Sequence, residues 1–142
     1  MLNVVELQEM SGSKLEEMLE NAREEVFNLR FQRASSRLEN YARLKQVRRE
    51  IAQLQTVLHL RKLAKETAVV EPAIAAALAG KEWTATARFN YEKSAWAVEF
   101  TGTDDNEIAT ALVNLNKKHI QGRRDRRTRR PPRLVTSYEI AG

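Results

Sequence analysis

The chain has 142 residues, 24 basic and 19 acidic side chains, a formal net charge of +5, no cysteine and two histidines. That length allows more than one small domain, and the lack of cysteine excludes disulfide frameworks and thiolate metal sites. No apolar run approaches the roughly 18 residues of a membrane span, and the N-terminus has neither a secretory nor a transit composition, so a reducing, non-secreted compartment is expected.

The modest net charge conceals strong segregation. Residues 1–32 carry −4, 33–65 carry +7, 66–120 carry −3 and 121–142 carry +5. Two such basic segments attract phosphate backbones, because each neutralised phosphate releases a counterion.

In chain order, Leu15, Leu19, Ala22, Val26 and Leu29 recur at spacings of four and three. This predicts a helix over 12–34 with a narrow apolar face. Ser13 with Glu16 fits a capping box, and Ser11 is the alternative cap. The segment Arg33 to Glu39 is small and polar in the middle and suits an antiparallel reversal. Leu44, Val47, Ile51, Leu54 and Leu58 then repeat the same spacing. They predict a second helix over 41–65, capped by Asn40 and without a clear stop before Thr67 or Pro72. A narrow stripe on each helix calls for the other as partner, hence a two-helix hairpin.

The second helix is also dense in cations. Arg48 flanks its stripe with Lys45 and Arg49 further back, while Arg43 and Arg61 flank the other side. Arginine pairs with phosphate oxygens through two parallel hydrogen bonds and stacks on bases. With Arg30 from the first helix, Arg43, Lys45, Arg48 and Arg49 are the candidate RNA-binding residues of the hairpin. The competing reading is a solvated helix face, although bases outnumber acids too heavily there for simple ion-pair decoration.

These two blocks resemble one family. Glu24, Glu25, Val26, Phe27, Asn28, Leu29, Arg30, Phe31 and Gln32 follow the pattern with which the first helix ends in large-subunit ribosomal protein twenty-nine. After a short turn, Leu38, Glu39 and Asn40, then Val47, Arg48, Arg49, Ile51, Ala52, Thr56, Val57 and Leu58, follow its second block. Tyr41 stands where a proline is common, and Ser35-Ser36 replaces a Thr-Gly-like turn. The resemblance covers roughly residues 5–65. It implies a structural RNA-binding protein near the mouth of the nascent-peptide exit tunnel. Its implied neighbours are large-subunit RNA and tunnel-exit protein twenty-three, with nascent-chain factors as a further class.

Beyond the hairpin, Pro72 to Ala79 is an Ala-rich run closed by Gly80, suiting a short helix or a linker. Trp83, Ala85, Ala87, Phe89 and Tyr91 alternate with polar residues, as do Trp96, Val98 and Phe100 with Ala97, Glu99 and Thr101. This predicts a β-hairpin broken at Glu92 to Ser94. A helix is expected next, capped by Thr103 or Asp104, with Ile108, Leu112 and Leu115 on one face and Gly122 beyond its end. Trp83 and Trp96 are the expected core of this module, against the reading of an RNA stacking platform. Leu134 to Ile140 suits one more strand. Between them, Gly122 to Arg133 has no apolar residue outside its prolines. It is expected to be a basic arm that orders on RNA through Arg123, Arg124, Arg126, Arg127, Arg129 and Arg130. The alternatives are a disordered solubilising loop or a targeting patch.

The sequence thus reads as mainly α: an antiparallel two-helix hairpin followed by a small α+β extension, ββα or ββαβ, with a basic arm. The expected divisions are residues 1–66, an Ala-rich segment 67–81, a hairpin-plus-helix module 82–122 and an arm and tail 123–142. No nucleophile–base arrangement, phosphate loop or metal-ligand spacing is present, so no catalytic residue, metal, cofactor or small-molecule substrate is expected. The expected role is structural, in the large ribosomal subunit of a bacterial cytosol or of an organelle. The competing role is a free coiled-coil interaction protein or dimeric nucleic-acid binder.

Overall fold

The computed structural model describes residues 3–116 and 134–141. The chain forms two compact units, Met1–Leu60 and Arg61–Gly142, each described by itself.

The first unit begins with α1 (Val4–Glu9), a short helix the sequence pattern does not announce. Glu6 reaches back to accept the Asn3 backbone N–H at 3.3 Å. Its Leu7 is buried in the core of this unit. Next comes α2 (Gly12–Ala34), capped by Ser11, whose Oγ accepts the Lys14 N–H at 3.3 Å. Of the two candidate caps, the earlier serine is used.

The end of α2 is well defined. The Arg37 N–H donates to the Gln32 carbonyl at 2.8 Å, and the Ser36 N–H donates to the Arg33 carbonyl at 3.1 Å. Ser36 has φ 58°. This pair of bonds around a left-handed residue is the Schellman arrangement, which satisfies carbonyls the helix leaves unpaired. Here a serine occupies a conformation that glycine adopts without steric penalty. Asn40 then caps α3 (Tyr41–Val70), accepting the Ala42 N–H on Oδ1 at 3.1 Å.

Leu15, Leu19, Ala22 and Val26 of α2 form one buried cluster with Leu44, Val47, Leu54 and Val57 of α3 and with Leu7. Leu29, Ile51 and Leu58, expected in the seam, are only partly buried against it. A straight helix drifts by about 20° per heptad relative to a 3.5-residue repeat. By the fourth turn the inward position has moved from Leu58 to Val57.

The helix α3 continues to Val70, beyond its expected end at 65. Pro72 disfavours helical geometry in the residue before it, and Glu71 accordingly takes ψ 123°. Pro72 then opens α4 (Pro72–Leu78), so the Ala-rich run is a helix in its own right. Ile74 and Leu78 are its buried positions.

The second unit holds one antiparallel sheet in the order β1 (Trp83–Asn90), β2 (Ala95–Gly102), β3 (Glu107–Val113) and β4 (Val135–Ile140). The expected helix after Asp105 is therefore corrected to a strand, and the ββα or ββαβ module to a four-stranded meander. Thr103 and Asp104 cap nothing. They lie in a hairpin turn where Asp105 has φ 56° and the Gly102 N–H donates to the Asn106 carbonyl at 2.9 Å.

Packing in the sheet explains the change. Phe100 stands opposite Ala85 on one side and Ala109 on the other, and Val98 stands between Ala87 and Ala111. A large residue flanked by alanines fills one face without overcrowding. Ala109, Ala111 and Val113 are buried with Trp96, Val98 and Phe100, and α4 lies against β3 and β4. Leu112 is opposite Ala97, so it points away from the face that buries Trp96. The expected helix face of Ile108, Leu112 and Leu115 is thus not the one that covers Trp96 and Phe100; Ala109, Ala111 and Val113 share their buried face. Trp83 is 39% exposed, with its ring edge-on to Phe100 at 5.6 Å, while Trp96 is the buried tryptophan.

Candidate nucleic-acid interface

The candidate basic residues of the first unit fall into two groups. Lys45, Arg48 and Arg49 lie on one exposed stripe of α3 that continues through Ala52, Thr56 and His59. The spacing of three and four residues stacks them along the helix away from the seam. Arg30 is exposed on α2. Among the described residues, none of these four cations forms an ion pair with a carboxylate. Their charge is available to an outside anion.

Arg43 differs. Its Nε donates to Glu25 Oε1 at 2.7 Å and its Nη2 to Glu25 Oε2 at 2.9 Å. Its Nη1 lies 3.6 Å from Glu50 Oε1. The hydrogen bonds to Glu25 hold the guanidinium pKa above its ordinary value; burial opposes this, and the charges of Glu25 and Glu50 reinforce it. The residue ties α3 to α2 and holds the start of the basic stripe in place. Arg61 belongs to the second unit, where burial and then the nearby Arg88 push its pKa down.

Phe27 and Phe31 were not singled out by sequence reasoning. They sit one turn apart on α2 and are 69% and 67% exposed. The apolar stripe passes through Val26 and Leu29, so the same period that placed the seam places these two rings outside it. Two exposed phenylalanines at i and i+4 are a signal in themselves: a helix that needed only solubility would not carry them.

The arginines at 123, 124, 126, 127, 129 and 130 lie outside the described residues. Among the described residues, no group of three or more His, Cys, Asp or Glu side chains is placed to hold a metal ion. No described helix is long and apolar enough to cross a membrane.

Residues 5–61, the first unit almost entire, match the family described as Ribosomal L29 protein. Large ribosomal subunit protein uL29 of Natranaerobius thermophilus is 50% identical over 58 residues, which is 41% of this chain and 89% of that protein. The Streptomyces griseus protein of the same name is 48% identical over 62 residues, 44% of this chain and 84% of its own length. The chain belongs to the uL29 family. In Geobacillus stearothermophilus, uL29 is 44% identical over 59 residues, covering 89% of it. The uL29 match therefore takes in α1, α2 and the part of α3 that carries the exposed cations. No solved structure matches the chain.

Proposed function

We propose that this chain is a structural, non-enzymatic constituent of the large ribosomal subunit that binds large-subunit RNA through the exposed stripe of α3. The observation that carries this reading is the family match over residues 5–61, nearly all of the two-helix unit. Within it, Lys45, Arg48 and Arg49 present three cations on one exposed stripe, and Arg30 adds a fourth on α2. Such a helix can lie along phosphates while its other side packs on its partner. Arg43, held by Glu25, positions the stripe. Ala52 beside it leaves room for close approach of a backbone.

The subunit position near the peptide exit tunnel, beside protein twenty-three, is part of the proposal. Phe27 and Phe31 supply an apolar patch that a neighbouring macromolecule would cover. Arg123, Arg124, Arg126, Arg127, Arg129 and Arg130 would add a second set of phosphate contacts, the RNA offsetting the ordering entropy of that segment.

The test is sedimentation of the tagged chain from its own cells. It should travel with large subunits through a wash at high salt and appear in the purified particle at one copy per subunit. A chain that stays at the top of the gradient, as a free dimer would, overturns the reading.

A further inference from the structure

A groove of about 720 Å³ in the second unit is lined by Lys62, Lys65, Glu66, Val69 and Val70 of α3 and by Trp83, Thr84 and Ala85 of β1. Successive side chains of a strand point to opposite faces. A space that touches three consecutive residues of β1 therefore runs along the strand's edge. Among the described residues that edge is open, because β1 pairs with β2 on its other side and ends the sheet order. An open edge carries unpaired backbone N–H and C=O groups and is the template for a further strand. Proteins blunt such edges with charge or proline; β1 has no proline, and its one charged residue, Arg88, lies beyond the stretch Trp83 to Ala85 that lines the groove.

We infer that this groove docks an extended polypeptide segment of a partner protein, which adds to the sheet along β1. It places an apolar side chain against Val69, Val70, Trp83 and Ala85 and acidic side chains toward Lys62 and Lys65. The alternation of an added strand suits the site, which sets the apolar Val69, Val70, Trp83 and Ala85 beside Lys62 and Lys65 of α3. Glu66 is the one carboxylate in the lining, and Lys62 Nζ lies 3.9 Å from it. Lys65 forms no ion pair among the described residues, which leaves the net charge of the lining positive. Single-stranded RNA would use the lysines and Trp83 and would leave the strand edge unpaired, so the geometry favours polypeptide. This surface lies outside residues 5–61, which match the Ribosomal L29 family, and would add a protein contact to the proposed RNA-binding role.

The experiment uses the full chain, amide-resolved NMR and a titrated peptide of about eight residues alternating valine and glutamate. Expected are shifts in the amides of residues 83–90, slowed hydrogen exchange there, and a change in Trp83 fluorescence absent from Trp83→Phe. The same peptide N-methylated at alternate backbone positions should bind at least about tenfold more weakly. A Lys62→Glu, Lys65→Glu double variant, checked for an unchanged unfolding midpoint, should come to prefer the valine–lysine peptide. Equal binding of the N-methylated peptide overturns the proposal, as does an unshifted β1 at millimolar peptide. Saturable quenching of Trp83 by oligouridylate with no peptide response overturns it in favour of RNA. Ribosome association of the chain is scored separately, so either result stands apart from the assembly role.

Discussion

The Arg43 guanidinium grips both carboxylate oxygens of Glu25, joining the first turn of α3 to the middle of α2 at 2.7 and 2.9 Å. The two side chains are 36% and 38% exposed, so solvent screens the pair and its contribution stays in the range of surface ion pairs. Glu25→Gln is expected to lower stability by about 0.5–1 kcal/mol at low ionic strength. The loss should shrink in molar salt. Thermal unfolding at two salt concentrations checks it, and identical midpoints at low salt would remove the tie from the account.

Phosphate contact has a different signature. Arg48→Gln with Arg49→Gln should flatten the log–log salt dependence of binding to large-subunit RNA fragments by up to about two. The unfolding midpoint should hardly move. Arg43→Gln should do the reverse, lowering the midpoint with a smaller change in slope. Filter binding and thermal melts on the same proteins separate the two groups, and matching behaviour of all three arginines would contradict the division.

Ser36 holds a left-handed conformation at the Schellman turn. Ser36→Gly removes the Cβ strain and is expected to raise stability by about 0.5–1 kcal/mol. Gly adds entropy to the unfolded chain, which limits the gain. A lower denaturation midpoint for Ser36→Gly would show that the serine side chain contributes more than its backbone strain removes.

The seam makes a graded prediction. Leu54 is 3% exposed, and Leu54→Ala should lose about 2–4 kcal/mol through transfer and cavity terms. Leu58→Ala, at a partly buried site, should lose clearly less. Urea denaturation of both variants decides it; the reverse ranking would restore the strict heptad seam.

In the sheet, Ala109→Leu should destabilise by about 1–3 kcal/mol, because it meets Phe100 across the strand pair. Thr110→Ile, on the other face, should be nearly neutral or favourable through β propensity. If both residues tolerated the change equally, the opposed faces of β3 would be in error.

The hairpin was legible because two independent signals agreed: the spacing of Leu15 through Val26 and the cap signals before each helix, Asn40 as expected and Ser11 in place of the favoured Ser13. The extension was half legible. Alternation of apolar with mostly polar residues, anchored by Trp83, Phe89, Trp96 and Phe100, announced β1 and β2. In β3 the sequence Glu-Ile-Ala-Thr-Ala-Leu-Val has its largest residues, Ile108 and Leu112, four apart, which imitates a helical stripe. The buried residues are mostly small, Ala109 and Ala111, and only the bulk of Val98 and Phe100 on the neighbouring strand reveals why they point inward. Alanine marks a core position there through what stands opposite it, and no period in one segment carries that information. Among the site residues, the exposure of Lys45, Arg48 and Arg49 followed from the seam. The capture of Arg43 did not, since Glu25 lies 18 residues away.

The outward-facing rings of Phe27 and Phe31 have a consequence for supply. A chain made faster than its binding place carries bare aromatic surface while free, beside cations that attract polyanions. Surplus copies should therefore self-associate and become targets for quality control, and their abundance should track that of the partner that covers them. Sedimentation of the free chain over a concentration series should show association that Phe27→Ser with Phe31→Ser abolishes. In that sense the same two rings that an assembly would cover should also make the unassembled copy short-lived.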